Sequence, residues 1–340
     1  MKIGIHPCKD SFSERWIQYC EKQRIPYKLV NCYNTDIINQ LDDCDALMWH
    51  FHHASSRDVL FAKQLLYSVK ASGKQIFPDF DTVWHFDDKV GQKYLLEALH
   101  IPFVPSYVFY SKQEAFDWAE QTSFPKVFKL RGGAGSSNVK IAKTKSDAIN
   151  LINRAFGKGF SQYDAWSNLK DRIQKYRKGK TTLFDVAKGI IRLGYPTNFA
   201  KIAGREKGYV YFQDFIPNND HDIRVVVIDN KAFAIKRMVR ENDFRASGSG
   251  EILYEKELFD DSTIRLSFEI AEKLKTQCLA LDYVYQNSKP LVVEISYGFA
   301  VAGYDRCVGY WTSDIDWHEG SFNPQEWMVD LVMRKEMACT

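Results

Sequence analysis

The stretch KVFKLRGGAGSSNVKI, residues 126–141, sets Lys129 in an apolar run just ahead of Gly132, Gly133, Gly135, Ser136 and Ser137. A glycine-rich turn between two strands exposes backbone N–H groups and permits close approach, which suits phosphate oxygens. A plain flexible hairpin tip would carry the same residues. Lys129 favours the anion-binding alternative, because an ammonium group inside an apolar strand is costly to bury unless an anion meets it. The stretch is not a Walker A loop, since no Gly-Lys-Ser/Thr follows and a strand rather than a helix comes next.

A second set of chemically capable residues lies in LALDYVYQNSKPLVVEIS, residues 279–296. Asp282 and Glu294 stand on the two arms of a tight hairpin, each embedded in apolar sequence. Two converging carboxylates suggest a hard cation, and ligation by oxygen alone selects magnesium over zinc. The alternative is that each carboxylate caps a loop or pairs with one of the arginines upstream, Arg224, Arg237, Arg240 or Arg245. Between the two sets, VYFQDFIPNNDHDIRVVV ends an apolar strand in Gln213, Asp214 and Phe215. These offer amide readout and backbone hydrogen bonds to a purine edge, with Asp220 placed a few residues on for ribose hydroxyls.

The elements that must position these groups follow from periodicity. KIGIH, YKLVNC, ALMWHF and KQIFPD read as short strands separated by helical patterns over Glu14–Gln23 and Arg57–Ala71, which favours a parallel α/β lobe. No G-x-G-x-x-G follows the first strand, so a dinucleotide fingerprint is absent. FDDKVGQKYLLEAL opens with aspartates, as a helix amino terminus prefers, and carries Val90, Tyr94, Leu95 and Ala98 on one face. Further helices are expected over Lys112–Gln121, Ser146–Phe156, Ala165–Tyr176, Leu183–Leu193 and Thr263–Cys278. YVYFQDFI, DIRVVVID, KAFAIKRMV and the hairpin LDYVYQ/PLVVEIS supply the strands of the carboxyl-terminal half.

At 340 residues the chain is long enough for two or three lobes. No apolar stretch approaches the roughly 20 residues of a spanning helix, and the amino terminus has no secretory h-region, so residence in the cytoplasm is the expectation. Seven cysteines without a C-x-x-C pair indicate reduced thiols rather than a zinc knuckle or redox motif. Net charge is +3, but residues 154–207 hold 13 Lys or Arg against 4 Asp or Glu.

In order along the chain, the helix-start Lys89, strand Lys129, the Gly132–Ser137 hairpin, Gln213–Phe215, the DIR of Asp222–Arg224, the distal Arg237 and Arg245, Asp282, and the EIS ending at Ser296 resemble the ATP-grasp superfamily. The match looks most like its carboxylate–amine ligases, among them D-alanine–D-alanine ligase, glutathione synthetase and the glutamate ligases that modify ribosomal protein. It covers about residues 85–300 as an ordered set of short motifs. Residues 1–84 resemble the small α/β lobe that commonly precedes this fold. The fold class expected is therefore α/β, an α+β ATP-grasp, with an amino-terminal domain over 1–84 and an ATP-grasp domain over 85–340 interrupted by a basic, aromatic helical insertion near 154–207.

By that resemblance Lys89 and Lys129 contact ATP phosphates, the Gly132–Ser137 loop closes over them, Gln213 and Phe215 bracket adenine beside Asp214, and Asp220 takes the ribose. Arg224 and Arg237 hold the transferred phosphoryl group or the substrate carboxylate, with Arg245 nearby, and Asp282 and Glu294 bind Mg2+. The family usually ends this motif in Glu-x-Asn. Ser296 stands at the asparagine position, and a hydroxyl is a poorer cation ligand than an amide carbonyl. Either Ser296 ligates directly, or water takes that place, or one tight metal suffices.

The implied reaction is ATP-dependent activation of a carboxylate to an acyl phosphate, followed by attack of an amine. Rival readings are a small-molecule kinase on the same fold and a non-catalytic ATP-binding sensor or assembly protein. The insertion interleaves cations with Phe156, Phe160, Tyr163, Trp166, Tyr176, Phe184, Tyr195 and Phe199, a mixture suited to an acidic glycan or peptide, or to plain packing of a solvated helical pair. Nucleic acid is disfavoured by the low overall charge and the lack of a binding module. His50, His52 and His53 in WHFHHAS stand at a strand end, as metal ligands, substrate contacts or packed side chains. The Trp- and Tyr-rich tail from Gly303 is expected to cover the acceptor pocket and finish in a docked helix.

Overall fold

A computed structural model describes residues 1–133, 138–162, 165–177, 179, 181–195, 202, 204–240, 243–246 and 250–334. Contacts divide the chain into two compact units, one of Met1–Phe86, Leu95–Phe103 and Asn218–Thr340, the other of Asp87–Tyr94 and Val104–Pro217.

The first unit begins with β1 (Ile3–Ile5), α1 (Phe12–Gln23), β2 (Tyr27–Leu29), α2 (Ile37–Gln40), β3 (Ala46–Met48), α3 (Ser56–Ala71), β4 (Gln75–Phe77) and α4 (Phe80–Val83). The strands pair in parallel in the order β2-β1-β3-β4, the lobe expected from the alternation of apolar runs and helical patterns. Ser11 and Ser55 begin α1 and α3 by accepting hydrogen bonds from Ser13 N and Asp58 N, satisfying N–H groups that no helical turn reaches.

The second unit is built on α5 (Lys89–Ala98, whose last turn belongs to the first unit), β5 (Ser106–Phe109), α6 (Lys112–Gln121), β6 (Lys126–Lys129), β7 (Lys140–Ala142) and α7 (Lys145–Phe156). β8 (Phe160–Ser161), α8 (Ala165–Arg177), α9 (Leu183–Gly194), β9 (Arg205–Glu206) and β10 (Val210–Asp214) complete it. Its sheet runs β5-β10-β6-β7, all antiparallel, while β8 pairs with β9 beside the helical insertion. Alternation sorts its residues. Phe128, Val210 and Phe212 join Ala115, Ala119, Ala148 and Ile152 of α6 and α7 in one core, so the partners across the ladder, Lys129 and Tyr211, fall on the opposite face. β5 was not apparent in the sequence, where SYVF is a short run close behind prolines.

The first unit resumes with β11 (His221–Ile228), β12 (Lys231–Met238), β13 (Ile252–Leu253), α10 (Asp261–Leu274), β14 (Cys278–Gln286), β15 (Lys289–Ser296), β16 (Gly309–Thr312), β17 (Trp317–Glu319) and α11 (Pro324–Arg334). The strands form an antiparallel sheet ordered β15-β14-β11-β12-β16-β17, with β13 beside β12. Ile223, Val225, Val227, Leu279, Leu281 and Tyr283 pack on one side with Ile264, Ile270, Ala271 and Leu274 of α10. Val226, Ile228, Phe233, Ile235, Cys278 and Ala280 pack on the other with Ile3, Ile5, Phe12 and Trp16 of the parallel lobe and Met328, Val329 and Val332 of α11. The helix expected over Thr263–Cys278 stops at Leu274, because Lys275 turns left-handed (φ 54°) and its N–H returns to the carbonyls of Ala271 and Glu272. Cys278 already belongs to β14. The β14–β15 turn is Asn287-Ser288, both at positive φ (51° and 62°), as a two-residue hairpin requires.

Candidate active site

In the second unit, Lys129 lies on the sheet face away from α6 and α7. Its ammonium is buried and donates to Gln213 Oε1 at 2.6 Å. Gln213 in turn donates through Nε2 to Ser106 Oγ (3.1 Å), which also accepts from Tyr211 OH (2.8 Å) and donates to the Val104 carbonyl (2.9 Å). Strand pairing makes this network: Tyr211 opposes Lys129 and Gln213 opposes Ser106. On the other face Lys126 binds Asp214 at 2.5 Å, over the ring of Tyr107. Gln213 and Lys129 are thus brought together while Asp214 lies on the opposite face, and the chain leaves the strand at Phe215 ahead of Pro217.

The glycine-rich loop is anchored from several sides within this unit. Lys89, at the start of α5 and buried, donates through its backbone N–H to Arg131 O (2.9 Å) and through Nζ to Gly133 O (2.8 Å). Glu206 accepts from Arg131 N (3.2 Å), Gly132 N (3.4 Å) and Gln162 Nε2 (2.8 Å), and Asp87 accepts from Gly133 N (2.7 Å). Tyr209 OH donates to Glu206 and accepts from Arg131 N (2.5 Å); burial and the adjacent carboxylate hold this phenol far above its ordinary range. A Cβ at Gly132 would stand 3.2 Å from Asp87 Oδ2, so a side chain there would crowd the carboxylate. Two carboxylates therefore hold the loop's backbone N–H groups, the donors a phosphate would use. Gly135, Ser136 and Ser137 lie outside the described residues.

In the first unit, one face of the large sheet carries Asp222 and Arg224 on β11, Arg237 on β12, Asp282 on β14, and Glu294 and Ser296 on β15. The register sets them in rows: Asp222 opposes Arg237, while Arg224, Asp282 and Glu294 oppose one another across three strands. A β-bulge makes the second row possible. From the turn inward, Tyr283 pairs with Val292, yet Asp282 pairs with Glu294, leaving Val293 as the extra residue. Without it Val293 would oppose Asp282 and Glu294 would point to the apolar side.

Arg224 forks onto both oxygens of Asp282, and Arg237 forks onto Asp222 (2.6 and 2.7 Å) while reaching Asp282 Oδ2 at 3.0 Å. Burial alone would raise the Asp282 pKa, but the two guanidinium groups overcome it and hold the carboxyl well below the usual range. Asp222 is instead raised, by burial first, with Arg237 opposing and the Asp282 charge adding to it. The arginine pairing considered for Asp282 is thus present. Ser296 Oγ accepts from Gly298 N (3.1 Å) and donates to Gly298 O (3.2 Å), a local turn. Arg245 lies against Asp243 (2.6 Å) and Asp220 is exposed and paired with His221 (2.5 Å), so neither joins the Asp222–Arg237–Asp282 network through these contacts.

Among the described residues no group of three or more His, Cys, Asp or Glu is arranged to hold a metal. Asp282 and Glu294 face each other as oxygen donors on a surface where three carboxylates meet two guanidinium groups, and both Asp282 oxygens are already held by guanidinium, so a cation there would have to displace an arginine. That donor set fits a hard divalent cation. His50 is a packed residue: its ring stacks on Phe12 (centroids 3.7 Å apart), and its Nδ1 accepts from Phe12 N at 3.1 Å. Ser106, Asp87, Glu206 and the bulge were not singled out from sequence, whereas Asp222 entered as the first residue of the DIR motif. Only Asp222 had a local signal, its two-residue spacing from Arg224.

The RimK-like ATP-grasp domain family matches residues 199–314. A search of curated proteins returns no match. Among solved structures the chain resembles a RimK domain ATP-grasp protein from Sphaerobacter thermophilus (TM-score 0.55, 14% identity, 98% of this chain and 100% of that one). It also resembles D-alanine–D-alanine ligase from Bacillus anthracis complexed with ATP (0.59, 13%, 100% and 97%). A third similar structure is the ATP-grasp ligase PsnB complexed with minimal precursor, Mg and ADP (0.55, 10%, 98% and 97%). Identities this low speak to the fold. Taken with the matched domain, they give the chain the ATP-grasp fold, with a RimK-like ATP-grasp domain over residues 199–314.

Proposed function

We propose that this protein is an ATP-dependent carboxylate–amine ligase acting on an amino acid, a peptide or an acidic sugar. The observation that carries the proposal is the row Arg224–Asp282–Glu294 with Arg237 beside it, where guanidinium groups and a facing carboxylate pair share one sheet face.

A substrate carboxylate oxygen attacks the γ-phosphorus of ATP, the bond to the β–γ bridging oxygen breaks, and ADP leaves. The amine then attacks the acyl carbon of the resulting acyl phosphate, loses a proton, and expels inorganic phosphate to leave the amide. No covalent bond to the protein is needed. Lys89 and Lys129 offset phosphate charge, the loop around Gly132 and Gly133 covers the phosphates, Gln213, Asp214 and Phe215 receive the base, and Asp220 the ribose. Arg224 and Arg237 hold the migrating phosphoryl group or the acid, with Arg245 in support, largely through preorganised charge. Asp282 and Glu294, with Ser296 or water, would hold Mg2+, which neutralises phosphate charge when bound.

The test is phosphate release from Mg-ATP against pooled amino acids, peptides and uronic acids, followed by mass spectrometry. Phosphate and an amide product should appear in equal amounts. Lys129→Ala and Glu294→Ala should each lower turnover by about 100-fold or more while the far-ultraviolet spectrum is retained. A phosphorylated product without free phosphate would identify a kinase instead, and wild-type rates in both variants would remove the site.

A further inference from the structure

Among the described residues, nothing covers the apolar side of one helix in the insertion. α9 starts cleanly, with Thr182 and Asp185 forming a reciprocal cap. Its contact side seats Gly189 against α8, so closely that a Cβ there would meet Leu169 Cδ1 at 2.9 Å and Arg172 Cδ at 3.0 Å. Helical spacing puts Leu183, Phe184, Ile190 and Ile191 on a different side, and these are 57 to 67% exposed. Trp166 of α8 (65%) and Tyr195 just after α9 (75%) are exposed as well. The amphipathic helix is therefore turned outward. It packs on α8 around Gly189 and presents Leu183, Phe184, Ile190 and Ile191.

Charge says what would cover it. Residues 165–195 hold eight Lys or Arg against two Asp, in a chain whose net charge is only +3. Lys188 lies at the margin of the stripe, its ammonium 4.4 Å from the centre of the Phe184 ring. A second copy of this chain would bring the same positive excess against its own, which is repulsive. The four aliphatic and aromatic side chains carry no hydrogen-bonding group, so they require no matched donor or acceptor. An apolar stripe with a lysine at its margin, in a segment of net positive charge that also exposes Trp166 and Tyr195, is the pattern of a helix lying in the plane of an anionic bilayer surface.

We propose that the α8–α9 hairpin docks this protein reversibly on anionic phospholipid membranes, with α9 inserted to the depth of its apolar side. The proposal is independent of the reaction assigned above, since none of these residues belongs to the lysine, glycine-loop or carboxylate sets.

The experiment is co-sedimentation of the full-length protein with vesicles of phosphatidylglycerol and phosphatidylcholine in equal parts, and with phosphatidylcholine alone. The wild-type chain should pellet with the mixed vesicles, release as salt is raised, and partition at least about tenfold less onto phosphatidylcholine. Phe184→Ser with Ile191→Ser should lower partitioning onto mixed vesicles by about tenfold or more, with the far-ultraviolet spectrum and solution phosphate release unchanged. Lys188→Glu with Arg192→Glu should weaken binding and flatten its salt dependence. Three results would overturn the proposal: no pelleting of the wild type, equal pelleting of the serine variant, or a wild-type dimer in light scattering that the serine variant dissolves. Capture by an acidic protein in place of vesicles would do so too.

Discussion

At the scale of single residues, the loop's amide donors are held by Glu206 and Asp87. A phosphate reaching the backbone of Arg131–Gly133 must displace carboxylates that sit where its own oxygens would go. Glu206→Gln keeps the shape and removes the charge, so the internal competitor weakens by about 1 kcal/mol and KM for ATP should fall roughly fivefold in steady-state titrations. A rise in KM would mean that Glu206 helps to hold nucleotide. Neither contact was legible in the sequence. Glu206 lies 75 positions beyond Arg131, and it arrives only because the short β8–β9 pair brings the chain back from the insertion. Lys129 was legible because a lysine in an apolar strand has few explanations. Its Gln213 partner was not, since that pairing depends on the register between β6 and β10.

At the scale of elements, local periodicity carried most of what could be read. The first four residues of DIRVVVI alternate polar and apolar, so Asp222 and Arg224 had to share a side opposite Ile223 and Val225. The hairpin at Asn287-Ser288 was likewise visible, but the bulge at Val293 was not. Counting back from the turn in steps of two puts Glu294 on the apolar side, and only the extra residue returns it to Asp282. The late end assigned to α10 has a similar origin: Thr276 and Gln277 carry no stop signal, and the reversal at Lys275 uses a residue that rarely marks one. In the insertion, Gly189 sets how closely α9 approaches α8. Gly189→Val should force the pair apart at a cost of about 1–3 kcal/mol, seen as faster proteolysis within residues 165–195, while ATP turnover stays near wild type.

At the scale of the whole molecule, acid should loosen the fold. His50 is held far below the ordinary histidine pKa, by burial first and then by His52 and His53; burial also lowers His52 and His6, partly offset by Asp58. The unfolded chain takes up these protons near pH 6.5 and the folded chain only below it, so stability is complete above that value and declines as pH falls. His50 alone can contribute up to about 1.4 kcal/mol per pH unit in that window. Urea midpoints should therefore drop between about pH 7.5 and about pH 5.5, and His50→Gln should flatten the dependence.

The parallel lobe has a further consequence. Ile3, Ile5, Phe12 and Trp16 share one core with Val226, Ile228, Phe233, Ile235, Cys278 and Ala280, on the three strands that also carry Arg224, Arg237 and Asp282. Deleting the first 84 residues would strip a broad greasy surface bare, and the shortened polypeptide should clump rather than dissolve. Engineers seeking a minimal version must begin at the amino terminus.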